Sequence, residues 1–331
     1  MKRLTSIVMS VLPFLICGGL LWAALFIKPQ AVGKSIEPPV IGRRDRLYGF
    51  TVLDKGVLWA AGNDGKVIRS EDGGKSWADQ KTPVRLHLQD LGAWSPEKAV
   101  AVGNQGVIIV TQDGGKTWKE VESPKSTVAN KLMRVRVSPD GGAWAVGEMG
   151  AVLRTGDFGN TWERMAKEED VAWNDVFFFS SRSGLVVGEF GRIKSTTDAG
   201  KTWRPVPSPV KGSLMGVRFR DAEHGVAVGM EGVVLKSDNG GKSWIAVPKV
   251  TKEHLFAVDG DRNGWVIVGD KGVVIRADAS GAGWKASRLG ENDLSWHTEV
   301  HKRGDDTYLS GNTIGVIRDG KWQIFDGRKR G

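Results

Sequence analysis

The 331-residue chain holds a single cysteine, Cys17, and only two tyrosines, Tyr48 and Tyr308, against 14 tryptophans and 45 glycines. Cys17 lies inside the hydrophobic N-terminal stretch, so the rest of the chain can form no disulfide, thiolate nucleophile or thiolate metal site. A domain of this size is held by a large core and needs no covalent staple, even outside the cytoplasm. Lys and Arg are scattered, with no run of five or more, and setting aside Lys2 and Arg3 takes the net charge from +9 to +7. Dispersed cations favour an acidic partner or an anionic membrane surface over nucleic acid. There is no P-loop, no G-x-G-x-x-G after a strand and no G-x-S-x-G elbow, which removes the nucleotide-binding and serine-hydrolase readings. The five histidines are dispersed. His297 and His301 stand four apart on an expected strand, about 13 Å from each other and too far to share one ion. Neither a metal nor a cofactor is expected.

Long apolar runs are also few, apart from one. Lys2-Arg3 precedes an apolar stretch from Leu4 to Ile27, closed by Lys28-Pro29. As a helix it would reach about 36 Å, enough to cross a hydrocarbon layer of about 30 Å. No A-x-A site ends it, which favours a retained anchor over a cleaved signal. Ile16 stands where a lipoprotein signal before Cys17 needs a small residue. The basic residues that follow (Lys28, Lys34, Arg43, Arg44, Arg46) would by a strict positive-inside count hold that side in the cytoplasm. A short basic N-terminus before an apolar helix is nevertheless the shape of an export signal, and long domains translocate with little regard to charge. The expectation is a single-pass anchor over residues 1–28 in a bacterial inner membrane and a tether over 29–46. A folded domain over 47–331 then lies on the periplasmic side.

That domain is written in repeats. One phrase recurs: small apolar residues, Gly, two residues, Gly, an apolar strand, then an Asp-Gly turn ending in Trp. The opening glycines are Gly62, Gly103, Gly147, Gly188, Gly229, Gly269 and Gly311. The closing tryptophans are Trp77, Trp118, Trp162, Trp203, Trp244, Trp284 and Trp322, at intervals of 41, 44, 41, 41, 40 and 38 residues. Each copy reads as four short strands; in the third they are Leu132–Val137, Ala143–Val146, Ala151–Arg154 and Thr161–Met165. Four strands at a period near 40, with no helix, predict an all-β, seven-bladed β-propeller, closed so that its sheet edges are few.

The turn before each tryptophan follows S/T-x-D-x-G-x-T/S-W, the Asp-box. Its Asp residues are Asp72, Asp113, Asp157 and Asp198, closed by Trp77, Trp118, Trp162 and Trp203; Asn239 replaces Asp before Trp244. The sixth copy is degraded and the seventh shortened. A carboxylate accepts backbone N–H groups in such a turn, Gly takes the left-handed conformation and Trp fills the space between sheets. A catalytic group need occur once, so the repetition itself marks these residues as scaffold.

Asp-boxes combined with Val146-Gly-Glu148-Met-Gly150 and Val187-Gly-Glu189-Phe-Gly191-Arg192-Ile193 resemble the photosystem II stability/assembly factor family. The resemblance covers roughly residues 45–326. It implies a seven-bladed propeller with BNR-type repeats that acts like a chaperone, binding subunits as a membrane complex is built. Nothing in the sequence ties its host to photosynthesis. The expected function is therefore that of a monomeric, membrane-anchored scaffold that binds proteins. Its partner would be a membrane protein or complex, such as a transporter, whose assembly, stability or activity it assists.

The alternative is a carbohydrate-active propeller, glycosidase-like or glycan-binding, acting in the cell envelope, because sialidases and other glycosidases also carry Asp-boxes. A sialidase needs a tyrosine nucleophile with a carboxylate and an F/Y-R-I-P phrase, and no such phrase occurs. A general glycosidase needs two carboxylates about 5–9.5 Å apart. Glu148 and Glu189 fill the same slot in adjacent copies, but that slot reads as a polar hairpin turn, and no enzyme activity is expected. For partner binding the expected residues are Asp90, Arg134 and Asp175, in matching positions of three inner strands. Trp173, Glu148 and Glu189 stand near them. Arg69 and Arg154 belong to a basic position before the Asp-box that recurs as Lys236, Arg276 and Arg318. Charge reversal at Arg134 and Arg154 is expected to weaken partner capture without changing the melting temperature.

Overall fold

Each repeat folds into one antiparallel sheet of four consecutive strands, and seven such sheets follow one another along the chain. The computed structural model describes residues 2–26 and 38–327, with side chains from residue 11 onward. The blades span 49–80, 88–121, 132–164, 173–206, 214–246, 255–288 and 297–324. In the third blade the strands are Leu132–Val137, Ala143–Gly147, Val152–Thr155 and Glu163–Arg164. The last of these is shorter than its sequence suggests, because Met165 leaves the sheet after a single further bond to the Val152 carbonyl.

Blades are stacked face to face, so the second strand of each is covered on both sides. Ala99–Gly103, Ala143–Gly147 and Gly184–Gly188 are buried at every position. This is why these strands read as unbroken runs of Ala, Val and Gly rather than alternating. The core is accordingly seven clusters, each shared by two neighbouring blades. The Asp-box tryptophan of one blade fills the gap to the blade before it: Trp118 meets Trp59 edge-on at 5.8 Å.

Two ends of the barrel-like stack differ in what they carry. At one, the Asp-box turns of blades 1 to 5 each bond the first hairpin of their own blade, as in Gly114 N to Glu97 O at 2.8 Å and Phe158 N to Gly141 O at 2.9 Å. At the other lie the second-to-third-strand hairpins and the blade-to-blade connectors. There Gly147 faces the Lys131 carbonyl so closely that a β-carbon would sit 2.0 Å from that oxygen, which explains the invariant opening glycine of the repeats.

No strand is exchanged to close the ring. The seam between blades 7 and 1 is held by Leu47 N to Gly311 O (3.0 Å) and Val40 N to Gly327 O (2.8 Å). Tyr48 stacks on Trp296 with ring centroids 5.7 Å apart. Val40 is buried with Leu47, Phe50, Tyr308 and Val316 in one cluster. The tether expected over 29–46 is therefore shorter. From Pro39 the chain belongs to the propeller's compact unit, because Val40 is part of its core; residues 27–37 lie outside the described ones.

The other unit, up to Pro38, contains a helix at Lys2–Phe26. Its side chains from Val11 to Phe26 are exposed, except for half-buried Ala23. Among the described residues no helix is long and apolar enough to cross a membrane; the apolar stretch of the sequence starts earlier, at Leu4.

Candidate functional site

The inner strands carry a β-bulge at the same place in six blades, with the register slipping next to Asp90, Arg134, Asp175, Gly216, Ala257 and Glu299. A bulge re-aims the side chain beside it, and here it turns that side chain inward to the channel. Asp90 is fully buried: its carboxylate accepts Leu91 N and, from the next blade, Val135 N, both at 2.8 Å. Asp175 does the same with Val176 N (2.8 Å) and Val217 N (3.0 Å). Each of these carboxylates thus ties one blade to its successor. Burial pushes the Asp90 carboxyl up, against the pull of Arg134 and Arg136.

Arg134 reaches across the channel to Glu299 of blade 7 and also lies 3.7 Å from Asp175. Arg136 adds bonds to both Asp175 oxygens at 3.1 and 3.2 Å. Asp90, Arg134 and Asp175, expected to offer their charge to a partner, are all buried and bound to the protein's own groups. Trp173 is buried as well. Sequence reasoning missed Arg136 and Glu299. Glu299 precedes Val300 just as Asp90 precedes Leu91, but His297 replaces the apolar residue that opens the pattern elsewhere.

Glu148 and Glu189 are half-buried, and each holds the backbone leading into its own blade. Glu148 accepts Lys131 N and Glu189 accepts Ala172 N, both at 2.8 Å. Asn63 uses its amide oxygen on Arg46 N at 2.7 Å in blade 1. Neutral Asn serving in the same bond shows that the slot needs an acceptor, not an ionisable acid.

Four of the five basic positions are likewise engaged by the protein's own groups. Arg69 pairs with Glu71 and lies 5.0 Å from the Trp59 ring centre. Arg154 lies 3.9 Å from Glu163 and 5.6 Å from the Trp144 ring. Lys236 meets Asp238 at 3.1 Å and Arg318 meets Asp306.

The Asp-boxes repeat one geometry. In blade 4, Asp198 accepts Thr202 N at 2.9 Å, Thr202 Oγ1 at 2.6 Å and Thr196 Oγ1 at 2.8 Å. The bonds from Thr202 hold its carboxyl down at about 2. Asp72, Asp113 and Asp157 make the same set; Asn239 keeps the same partners, accepting from Ser243 N and Ser237 Oγ but donating its amide Nδ2 to Ser243 Oγ.

The two tyrosines do not form a nucleophilic centre. Tyr308 is buried with its hydroxyl 3.4 Å from Asp306, and Tyr48 is stacked on Trp296. Among the described residues no group of three or more His, Cys, Asp and Glu could hold a metal ion.

One of several open clefts involves a closing tryptophan. It lies between blades 3 and 4, holds about 650 Å³, and is lined by Val152, Met165, Trp173, Val186 and Trp203 with Arg164, Lys167, Lys194, Lys201, Glu168 and Glu169. The outer strand of blade 3, like that of blade 5, has two residues where blades 1, 2 and 4 have three. Trp203 is half-buried, as are Trp284 and Trp322, whereas Trp77, Trp118, Trp162 and Trp244 are buried. Arg164 donates to the carbonyls of Ala166 (2.9 Å) and Met149 (2.5 Å), which fixes the connector that forms the cleft's wall. Glu169 binds Lys194 and, at 2.8 Å, Arg192. Lys167 and Lys201 are exposed and have no ion pair among the described residues. Such a site, apolar below and cationic at its rim, fits an extended segment carrying an apolar side chain and a carboxylate.

Comparison with known proteins supplies the lineage. The sequence profile of the family described as photosynthesis system II assembly factor YCF48 matches residues 80–156 and 195–302. No curated protein matches the chain. Among solved structures, a YCF48 bound to D1 peptide is similar with TM-score 0.67 and 16% identity over 83% of this chain and 91% of that one. YCF48 from Cyanidioschyzon merolae gives TM-score 0.67 and 15% identity over 86% and 96%. A GH74 xyloglucanase from Xanthomonas campestris gives TM-score 0.69 and 15% identity over 87% of this chain and 55% of its own. At such identities the structural likeness speaks for the fold alone.

Proposed function

The chain belongs to the photosynthesis system II assembly factor YCF48 family, and from that premise we propose a membrane-tethered scaffold that captures an extended segment of a membrane protein. Capture would assist the assembly, stability or activity of the complex to which that protein belongs, a transporter being one such client. The observation that carries the reading is the cleft beside Trp203, where Lys167 and Lys201 stand unpaired over an apolar floor. A relative solved with a D1 peptide supports a peptide as the kind of ligand. The apolar stretch from Leu4 to Ile27 supports a single-pass anchor, with the propeller as a monomer on the periplasmic face of a bacterial inner membrane.

The rival carbohydrate-active reading draws on the xyloglucanase likeness. Against a glycosidase stands the use of Glu148 and Glu189 as backbone acceptors, which leaves neither carboxylate to protonate a leaving group.

The test is in-cell crosslinking of the tagged full-length protein, followed by solubilisation and mass spectrometry. One membrane complex should be recovered, and the paired change Lys167→Glu and Lys201→Glu should deplete it while the melting temperature holds. Recovery of nothing above background, together with binding on a glycan array, would reverse the order of the two readings.

A further inference from the structure

Outside the N-terminal helix, the exposed large apolar side chains among the described residues are Val128, Phe190, Ile245, Val250, Leu294 and Ile324. Ile245 and Ile324 sit on outer strands. The other four are carried by loops, and all four loops belong to the face of connectors and second-to-third hairpins. Val128 (73% exposed), Val250 (38%) and Leu294 (73%) lie in three connectors, and Phe190 (65%) at a hairpin tip. The Asp-box face has none. Phe190 takes a left-handed backbone, φ 57°, a position suited to Gly or Asn, and its ring's one cationic neighbour is Arg192 at 5.9 Å.

The charges divide in the same sense. Lys125, Lys211, Lys249 and Lys252 stand in these connectors, exposed and without an ion pair among the described residues. The opposite face carries exposed lysines too, Lys75, Lys116, Lys201 and Lys242, but they stand in Asp-box turns beside carboxylates such as those of Asp113 and Asp198, held ionised by hydroxyl and backbone donors. The chain also enters the propeller on the connector face, since Arg46 O accepts the hairpin's Asn63 N and Val40 N meets Gly327 O beyond the last strand.

We propose that the connector face lies against an anionic bilayer surface, with Val128, Phe190, Val250 and Leu294 entering the headgroup layer and the neighbouring lysines meeting lipid phosphates. Separate apolar side chains on one face, flanked by cations, suit an interface better than a protein groove, because each gains burial independently and the charge attraction adds to it. The inference goes beyond client binding and stands whichever client the cleft takes.

The full chain with Cys17→Ser, reconstituted into vesicles of phosphatidylcholine and phosphatidylglycerol, would carry one fluorophore at a time. The labelled sites are Val128→Cys, Phe190→Cys or Leu294→Cys, with Lys116→Cys in an Asp-box turn as the control. Brominated acyl chains should quench the three connector-face labels severalfold more than the control, and omission of phosphatidylglycerol should reduce the difference. Equal quenching in a chain that resists alkaline extraction would overturn the proposal while leaving the anchor intact. If alkali releases the chain, the anchor reading fails instead. Sedimentation with the same vesicles then decides: binding lost on Phe190→Ser with Leu294→Ser upholds the connector face, and undiminished binding or none sinks it.

Discussion

At the scale of single residues the Asp-box shows how one carboxylate can organise a turn. Asp198 serves one backbone and two hydroxyl donors, and its carboxyl is held at about 2 rather than near the ordinary value of about 3.9. A group whose folded-state value is depressed contributes stability that is complete above the unfolded value and lost as pH falls through the folded one. For Asp198 that window runs from about pH 4 down to about 2. Asp198→Asn should therefore lower the melting temperature at neutral pH, and the gap from the parent protein should close across the window. A constant gap would show that the hydroxyl bonds matter without the charge. Asn239, which occupies this place in blade 5, indicates that the variant will still fold. Residue-scale roles of this kind were legible beforehand because they are local: Asp72, Asp113, Asp157 and Asp198 meet partners within four positions. Asp90 was not, because its second partner, Val135 N, is forty-five residues away.

At the scale of elements, the inner strands combine a bulge with an ion-pair network whose members come from blades 3, 4 and 7. Arg134 and Glu299 form a buried pair, with Arg136 3.5 Å from Glu299 as a second cation, so removing Arg134 leaves Glu299 under-compensated in a low-dielectric site, at a cost of up to about 3–5 kcal/mol. Arg134→Met should lower stability by that order in urea titration, and Arg134→Met combined with Glu299→Met should recover most of it. Client capture by the double variant should match the parent. Loss of capture with full stability would return Arg134 to the binding surface, where sequence alone had placed it. The repeat fixed strand order and blade number because period and turn chemistry are properties of short segments. Which inner-strand charge faces which depends on closing the ring, and no spacing encodes that blades 3 and 7 meet. The cleft was hidden for a similar reason: Trp203 reads in sequence like Trp77 or Trp118, and only the folded blades show it half-buried where they are buried.

Histidines on the last inner strand make the same element sensitive to acid. Burial depresses His297 to about 4 and His301 to about 3, so both are neutral in the fold while the unfolded chain takes up protons near 6.5. With the folded value below the unfolded one, stability is complete above about pH 6.5 and falls as the pH drops toward 4. His297→Gln should flatten the melting-temperature profile between those limits, and an unchanged slope would assign the sensitivity elsewhere.

The propeller is a ring of seven self-contained sheets with one seam, and the chain leaves that seam toward its N-terminus. A pull on the N-terminus is transmitted first through Val40 and Leu47 and then along the strand Gly49–Val52, the innermost of blade 1. That strand is bonded rung by rung to Leu58–Ala61, from Gly49 opposite Ala61 to Val52 opposite Leu58. Force along a strand axis shears all its rungs together instead of unzipping them one at a time, the geometry in which a β-sheet resists tension best. A scaffold gripping a client while held from its other end would thus meet tension at a joint whose direction of pull is its strongest.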